Sequence, residues 1–536
     1  MKNYRSAIWL FLFCLFAYGL FLGNIPLLGP DEPVYGETAK EMIAFSDWFS
    51  PRIYGEFWYD KPPLFYWAEA VSFSLFGVSE ISARLPSVLF GALTPVYLYL
   101  ASRKLIGDRA ALIGSVICAS SLEVIVLARS AVTDTLLTFT LTAALLSFLR
   151  RDYFLAYISC GLALLAKGPI GFAFPALIVG LWMLLTGQYR LKNILSLKWY
   201  WGIPLACLVG LPWYVGMGLL HGDNFLNTFL GYHNVTRFIS PEHEGQNHIY
   251  LYLIVLAAGF FPWAGTIPGI LARWKTWLSD RTLCFFFVWA LFIFVFFSLS
   301  STQLFSYILP MYPPLSLLAG KYLAEEEEKG KASRLLLGSH LFFGLLVAAA
   351  LAAALAAAPI IPPQGKAVPY LLGAAVLCLV LFGAYSLKKG LFSRFLRIQP
   401  GLILAVVMAV WTLFAVPVSD SFASRDILRQ VKQDTAGSEI PLYIDTFYRP
   451  SAAFYENLYG KPLPEFDKKK LKTIEEQEKE GIFLPGKDDA LVLPDKAYVL
   501  VGKKVYDREW PEEQKKDMTL LRSQGSAYFF LKGASH

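Results

Sequence analysis

Long apolar runs divide this chain up to about residue 420, and polar connections separate them. A helix needs roughly 20 apolar residues to cross a bilayer, and about thirteen runs come near that length. They centre near residues 15, 93, 118, 140, 160, 178, 208, 260, 290, 313, 346, 377 and 408, with those near 140, 160 and 178 short and crowded. The first run follows Lys2 and Arg5 as a signal peptide would, yet no small-residue cleavage site precedes Asp31 and further runs follow, so it reads as a retained helix. After Asp420 the pattern changes. Apolar stretches at 441–447, 497–501 and 527–531 read as strands, and 423–434 and 467–479 as helices. The expected fold is an all-α polytopic membrane domain over 1–420, followed by a small α/β domain over 421–536. No repeat of fixed period is visible. The acidic run Glu325–Glu328 reads as a solvated loop.

Composition supports the membrane reading: 56% of residues are hydrophobic, 16% aromatic and 17% charged. A soluble chain of this length has no use for so much apolar surface. The net charge of +7 is not a nucleic-acid footprint, because the basic residues sit in short connections. Arg103, Lys104 and Arg109, then Arg150 and Arg151, then Arg190, Lys192 and Lys198, then Arg273, Lys275 and Arg281, then Lys321, Lys329, Lys331 and Arg334, then Lys388, Lys389, Arg394 and Arg397 occupy every second connection, so all fall on one side. By the bias of cytoplasmic loops toward Lys and Arg, the N-terminus is cytoplasmic and the tail is external. The two long outer loops are then about 24–84 and 219–248. All six cysteines lie in or beside apolar segments, so no disulfide framework is legible.

Unusual polar residues collect in the outer connections. Asp31 and Glu32 follow the first run and precede Pro33, which suits the first turn of a helix; residues 34–46 read as a short helix. A carboxylate there either caps the helix or accepts a proton from a hydroxyl. Tyr59-Asp60-Lys61-Pro62-Pro63 presents an outer lysine on a stiff backbone, suited to a phosphate or to interfacial snorkelling. Asp134 opens an apolar run and has Arg129 as a near-sequence partner. Lys167 lies in a tight turn, Tyr307 at the end of another run, and Arg237 in the second outer loop, where a guanidinium can fork a phosphate. That loop also holds His221, His233, His243 and His248, four of the six histidines. They are candidate ligands for a divalent metal, although their spacing matches no compact zinc pattern.

The stretches GPDEPVYGETAKEM (29–42), YDKPPLFYW (59–67), RSAVTDTLLTF (129–139), LAKGPIGF (165–172), GYHNVTRF (231–238) and SYILPMYPPL (306–315) resemble the GT-C glycosyltransferases. They are most similar to the lipid A 4-amino-4-deoxy-L-arabinose transferases and the related protein O-mannosyltransferases. The resemblance covers about 1–420. It implies a polyprenyl-phosphate sugar as donor and lipid A or another envelope molecule as acceptor, on the outer side of a bacterial inner membrane. It also implies Asp31 as catalytic base and Asp134 as second acid. Lys61, Arg237, Tyr307 and Lys167 would face the donor phosphate, with Glu32, Asp60 and His233 near the substrate. Three departures stand out: Asp60 replaces the family's glutamate, Gln303 replaces a lysine, and the register around His233 differs. No cofactor is implied with certainty, and a divalent metal stays open. Besides the substrates, membrane lipids are the expected partners, and nucleic acid is not. The alternatives are a protein O-mannosyltransferase or other envelope glycosyltransferase and, in another class, a lipid flippase, which would call for inverted repeats.

Overall fold

The computed structural model describes residues 2–229, 231, 250–357, 367–422, 425–464, 493–510 and 512–533. Most of them are helical, and every one of the thirteen expected centres falls on a helix or, for residue 260, at a helix break. Among the described residues, six helices are long and apolar enough to cross a membrane: Glu80–Ile106, Trp199–Phe229, Arg281–Ser298, Arg334–Ala354, Tyr370–Lys388 and Phe392–Thr412. A seventh crossing is counted if the pair Leu251–Gly259 and Ala264–Ala272, bent by 112°, is one span. The count falls short of thirteen because several apolar helices, Asp134–Leu149, Tyr153–Lys167 and Ile170–Leu185 among them, have fewer than 18 residues.

The chain forms two compact units. The first comprises 1–20, 85–214 and 236–413. Its helices approach closely where glycines line the contact. A Cβ at Gly320, on Tyr312–Glu328, would collide with the Ala110 carbonyl and the Gly114 backbone on Asp108–Ser120. Small residues allow such backbone contact where no hydrophobic gradient drives helices together. The run Glu325–Glu328 is not a solvated loop. It ends this helix, and Arg273 donates to Glu325 (2.6 Å) and to the buried Glu326 (2.7 Å). Two ion pairs supply the anchor that sequence distance concealed.

The second unit comprises 21–84, 215–235 and 414–536. Helix Asp31–Ala44 packs on helix Leu64–Phe76, with a hairpin of β1 (Arg52–Ile53) and β2 (Glu56–Phe57) between them in sequence. Tyr54 and Gly55 both have positive φ, as a two-residue hairpin turn of this hand requires. The helix begins at Asp31, three residues ahead of expectation, so Asp31 and Glu32 belong to its first turn.

The remainder of this unit carries β3 (Leu442–Ile444), β4 (Lys461–Pro462), β5 (Ala497–Gly502), β6 (Met518–Gln524) and β7 (Ala527–Lys532) in the order β4-β3-β5-β7-β6. β3 runs parallel to β4 and β5, while β5, β7 and β6 are antiparallel. Strand alternation sends Ile444, Leu500 and Phe529 to one face, against Ile427, Leu428 and Val431 of helix Arg425–Thr435. Tyr443, Val499 and Phe530 go to the other, around Trp510. β4 and β6, the two edge strands, are the ones the pattern misses: β4 has only two residues, and β6 is mostly exposed with no clean period of two. The helix expected at 467–479 lies outside the described residues.

Candidate active site

In the second unit Asp31 is the exposed first residue of its helix, where the positive helix end favours a carboxylate. Its neighbour Glu32 turns inward and is 3% exposed. Glu32 Oε2 accepts from the Leu28 backbone N–H (2.7 Å) and from Arg84 (2.7 Å), and Oε1 accepts from Arg84 Nε (2.8 Å). One adjacent carboxylate thus faces outward while the other ties down the turn.

Further along this helix Lys40 donates to the buried Glu37 (2.9 Å) and to the carbonyls of Ala453 (2.8 Å) and Phe454 (3.2 Å). These carbonyls close helix Arg449–Glu456, so the cation also answers the helix's negative end. Burial pushes the Glu41 carboxyl up to about 7, against a hydrogen bond from the Gly55 N–H that lowers it.

Lys61 lies beside Asp60, with Nζ to Oδ1 at 2.7 Å, and Pro63 caps helix Leu64–Phe76. Asp60 and Lys61 thus pair as chain neighbours. His221 hydrogen-bonds Ser50 (3.0 Å) and packs on Phe57, 4.2 Å between centroids. No group of three His, Cys, Asp or Glu that could hold a metal gathers among the described residues. His233, Arg237, His243 and His248 lie outside those residues.

In the first unit three expected residues meet. Asp134 opens helix Asp134–Leu149 and Lys167 closes helix Tyr153–Lys167. The two helices pack on each other, which brings the start of one to the end of the next. Lys167 Nζ lies 2.6 Å from Asp134 Oδ1 and 4.9 Å from the centroid of the Tyr307 ring. Thr133 ties the same ends by donating to the Ala166 carbonyl at 2.9 Å. Each charge suits its helix end.

Arg129, the partner that sequence proximity offers Asp134, goes elsewhere. It donates to the carbonyls of Ala17 (3.2 Å) and Tyr18 (2.8 Å) and sits 4.6 Å from the Trp411 ring. Sequence reasoning also missed Glu123, which accepts from the buried Tyr312 hydroxyl. A Cβ at Gly259 would strike both groups. A lysine held between a carboxylate and an aromatic face is a preorganised cation, suited to a phosphate oxygen through a charge-assisted hydrogen bond.

The profile of the dolichyl-phosphate-mannose-protein mannosyltransferase family matches residues 6–219. The undecaprenyl phosphate-alpha-4-amino-4-deoxy-L-arabinose arabinosyl transferase of Edwardsiella ictaluri is 29% identical over 74% of this chain and 75% of its own length. The protein of the same name from Yersinia enterocolitica is 29% identical over 66% of this chain and 65% of its own length, so the chain spans a little under two thirds of that relative. The crystal structure of ArnT from Cupriavidus metallidurans bound to undecaprenyl phosphate superposes with a TM-score of 0.79, covering 98% of both chains at 22% identity.

The chain has the fold of ArnT. It is a multi-pass membrane protein of ArnT-like architecture.

Proposed function

We propose that this protein is a membrane glycosyltransferase that moves a sugar from a polyprenyl phosphate to an envelope acceptor. The sugar is 4-amino-4-deoxy-L-arabinose and the acceptor is lipid A. The Lys167–Asp134 pair against Tyr307 carries the reading: it holds a cation ready for phosphate at two helix ends. The ArnT-like relatives supply the substrate classes.

In this reading the acceptor oxygen attacks the anomeric carbon as the bond from that carbon to the phosphate oxygen breaks. Asp31 takes the acceptor's proton. Polyprenyl phosphate leaves as an anion, and Lys61, Lys167 and Arg237 neutralise it while Tyr307 orients it. Asp134 keeps Lys167 in place. The short apolar helices complete about thirteen crossings. That count and the basic connections support an N-terminus in the cytoplasm and residues 421–536 as a domain on the outer side of a bacterial inner membrane.

Mass spectrometry of lipid A from cells with and without the gene, and with Asp31→Asn, tests this directly. An aminopentose-sized mass lost in both the deletion and the variant supports the proposal. Full modification by Asp31→Asn rules out its role as base. The family profile over 6–219 favours protein O-mannosyl transfer as the second reading. Loss of protein-linked sugar with lipid A unchanged would select it.

A further inference from the structure

The Asp-Glu pair divides its labour, and the division is enforced from 52 residues away in sequence. Arg84 is fully buried and uses all five of its N–H donors. Two go to Glu32, Nε to Oε1 at 2.8 Å and Nη2 to Oε2 at 2.7 Å. Nη1 donates to the carbonyls of Leu22 and Ile25, each at 2.8 Å, and the second Nη2 proton to that of Pro26 at 2.9 Å. The loop that these carbonyls belong to leads into Asp31, and the Leu28 N–H closes the circuit on Glu32 Oε2 at 2.7 Å.

We propose that Arg84 is a positioning residue for Asp31: by clamping Glu32 and the 22–26 loop together, it fixes the turn from which Asp31 projects. This rests on Asp31 being the base of the reaction above. A guanidinium is suited to the task because its planar fork grips a carboxylate at two points and still has three donors for carbonyls. An ammonium has three donors in all and no fork. The clamp also occupies both Glu32 oxygens, which leaves proton acceptance to Asp31. Among the described residues, its hydrogen bonds go to none assigned to the phosphate.

The consequence is a loss of kcat without a loss of donor affinity. A displacement of about 1 Å at a reacting group costs about 100-fold in rate. Purified full-length protein is assayed with a polyprenyl-phosphate aminoarabinose donor and lipid A, and donor-site occupancy is read separately by binding of undecaprenyl phosphate. Arg84→Lys and Glu32→Gln should each lower kcat by about 10- to 100-fold. The donor KM and the Kd for undecaprenyl phosphate should stay near those of the parent; Glu32→Gln strands the buried Arg84 charge and should lower the thermal midpoint, so rates are compared well below it. Placed on Asp31→Asn, Arg84→Lys should cost nothing further, since residues that act as a unit are not additive.

Both variants within threefold of the parent, beside an inactive Asp31→Asn, would overturn the role of Arg84 and leave the transferase reading standing. Losses that vanish when the rate is taken per folded molecule, or that multiply with Asp31→Asn, would reduce the clamp to a structural brace and overturn the proposal equally. Full activity of Asp31→Asn would overturn both.

Discussion

Replacing Lys167 by methionine tests the most direct reading of the first unit. The Lys167 and Asp134 side chains are 13% and 10% exposed, and their charged atoms are 2.6 Å apart. Near a protein surface, with an effective dielectric of about 20, two unit charges at 4 Å attract by about 4 kcal/mol. Desolvation and the small residual exposure take back part of this, leaving about 2–3 kcal/mol of coupling. Lys167→Met leaves Asp134 an unpaired, nearly buried anion and should destabilise by about 3 kcal/mol. Asp134→Asn should cost a similar amount. The double variant should cost clearly less than the sum, because neither charge is then stranded. Unfolding in mixed micelles of increasing SDS content, followed by tryptophan fluorescence, gives the four values of the cycle. A coupling below about 0.5 kcal/mol is what an ordinary exposed pair gives, and it would refute the reasoning. The same variant removes a phosphate-facing cation, so transfer should fall by about 100-fold.

Gly320→Ala should destabilise the first unit by about 1–3 kcal/mol, because the new methyl meets helix backbone that cannot swing aside. An unchanged thermal midpoint would show that the two helices separate easily. Lys40→Ala should cost about 3 kcal/mol by removing the cation from the fully buried Glu37, to which the Tyr459 hydroxyl donates at 3.1 Å. Earlier proteolysis around Phe454 should accompany it. Glu41 imposes a pH dependence. Its folded carboxyl titrates near 7 against an ordinary 4.5, so between these values the folded chain holds a proton that the unfolded chain releases. Stability therefore falls as pH rises through that window and is level above it. Thermal midpoints at pH 5 and 7.5 should differ less for Glu41→Gln than for the parent, and equal differences would contradict the shift.

Helix positions were legible in the sequence because apolar runs of bilayer length have few other uses; the centres near 93, 208, 290, 346, 377 and 408 fall on helices long and apolar enough to cross. Asp134, Lys167 and Tyr307 were each found as local oddities. Their meeting was not legible, since it depends on where two adjacent helices begin and end, a matter of single residues. The nearest basic residue in sequence, Arg129, was therefore a misleading partner for Asp134. Arg84 escaped notice for a related reason. It stands in Ile-Ser-Ala-Arg-Leu-Pro at the start of an apolar helix, where an arginine reads as interfacial. Only the fold reveals that it is fully enclosed.

The sharp bend between Gly259 and Ala264 has a consequence for arithmetic. If Leu251–Gly259 and Ala264–Ala272 together cross the bilayer, the count of crossings is odd or even in one way; if the pair dips in and returns, the parity flips. Every segment after it, from Arg281 to the sheet of β3 to β7, then changes compartment together. Four residues, Phe260 to Trp263, decide which solvent nearly half of the chain meets. A reporter fused beyond Thr435 would read that parity in a single measurement.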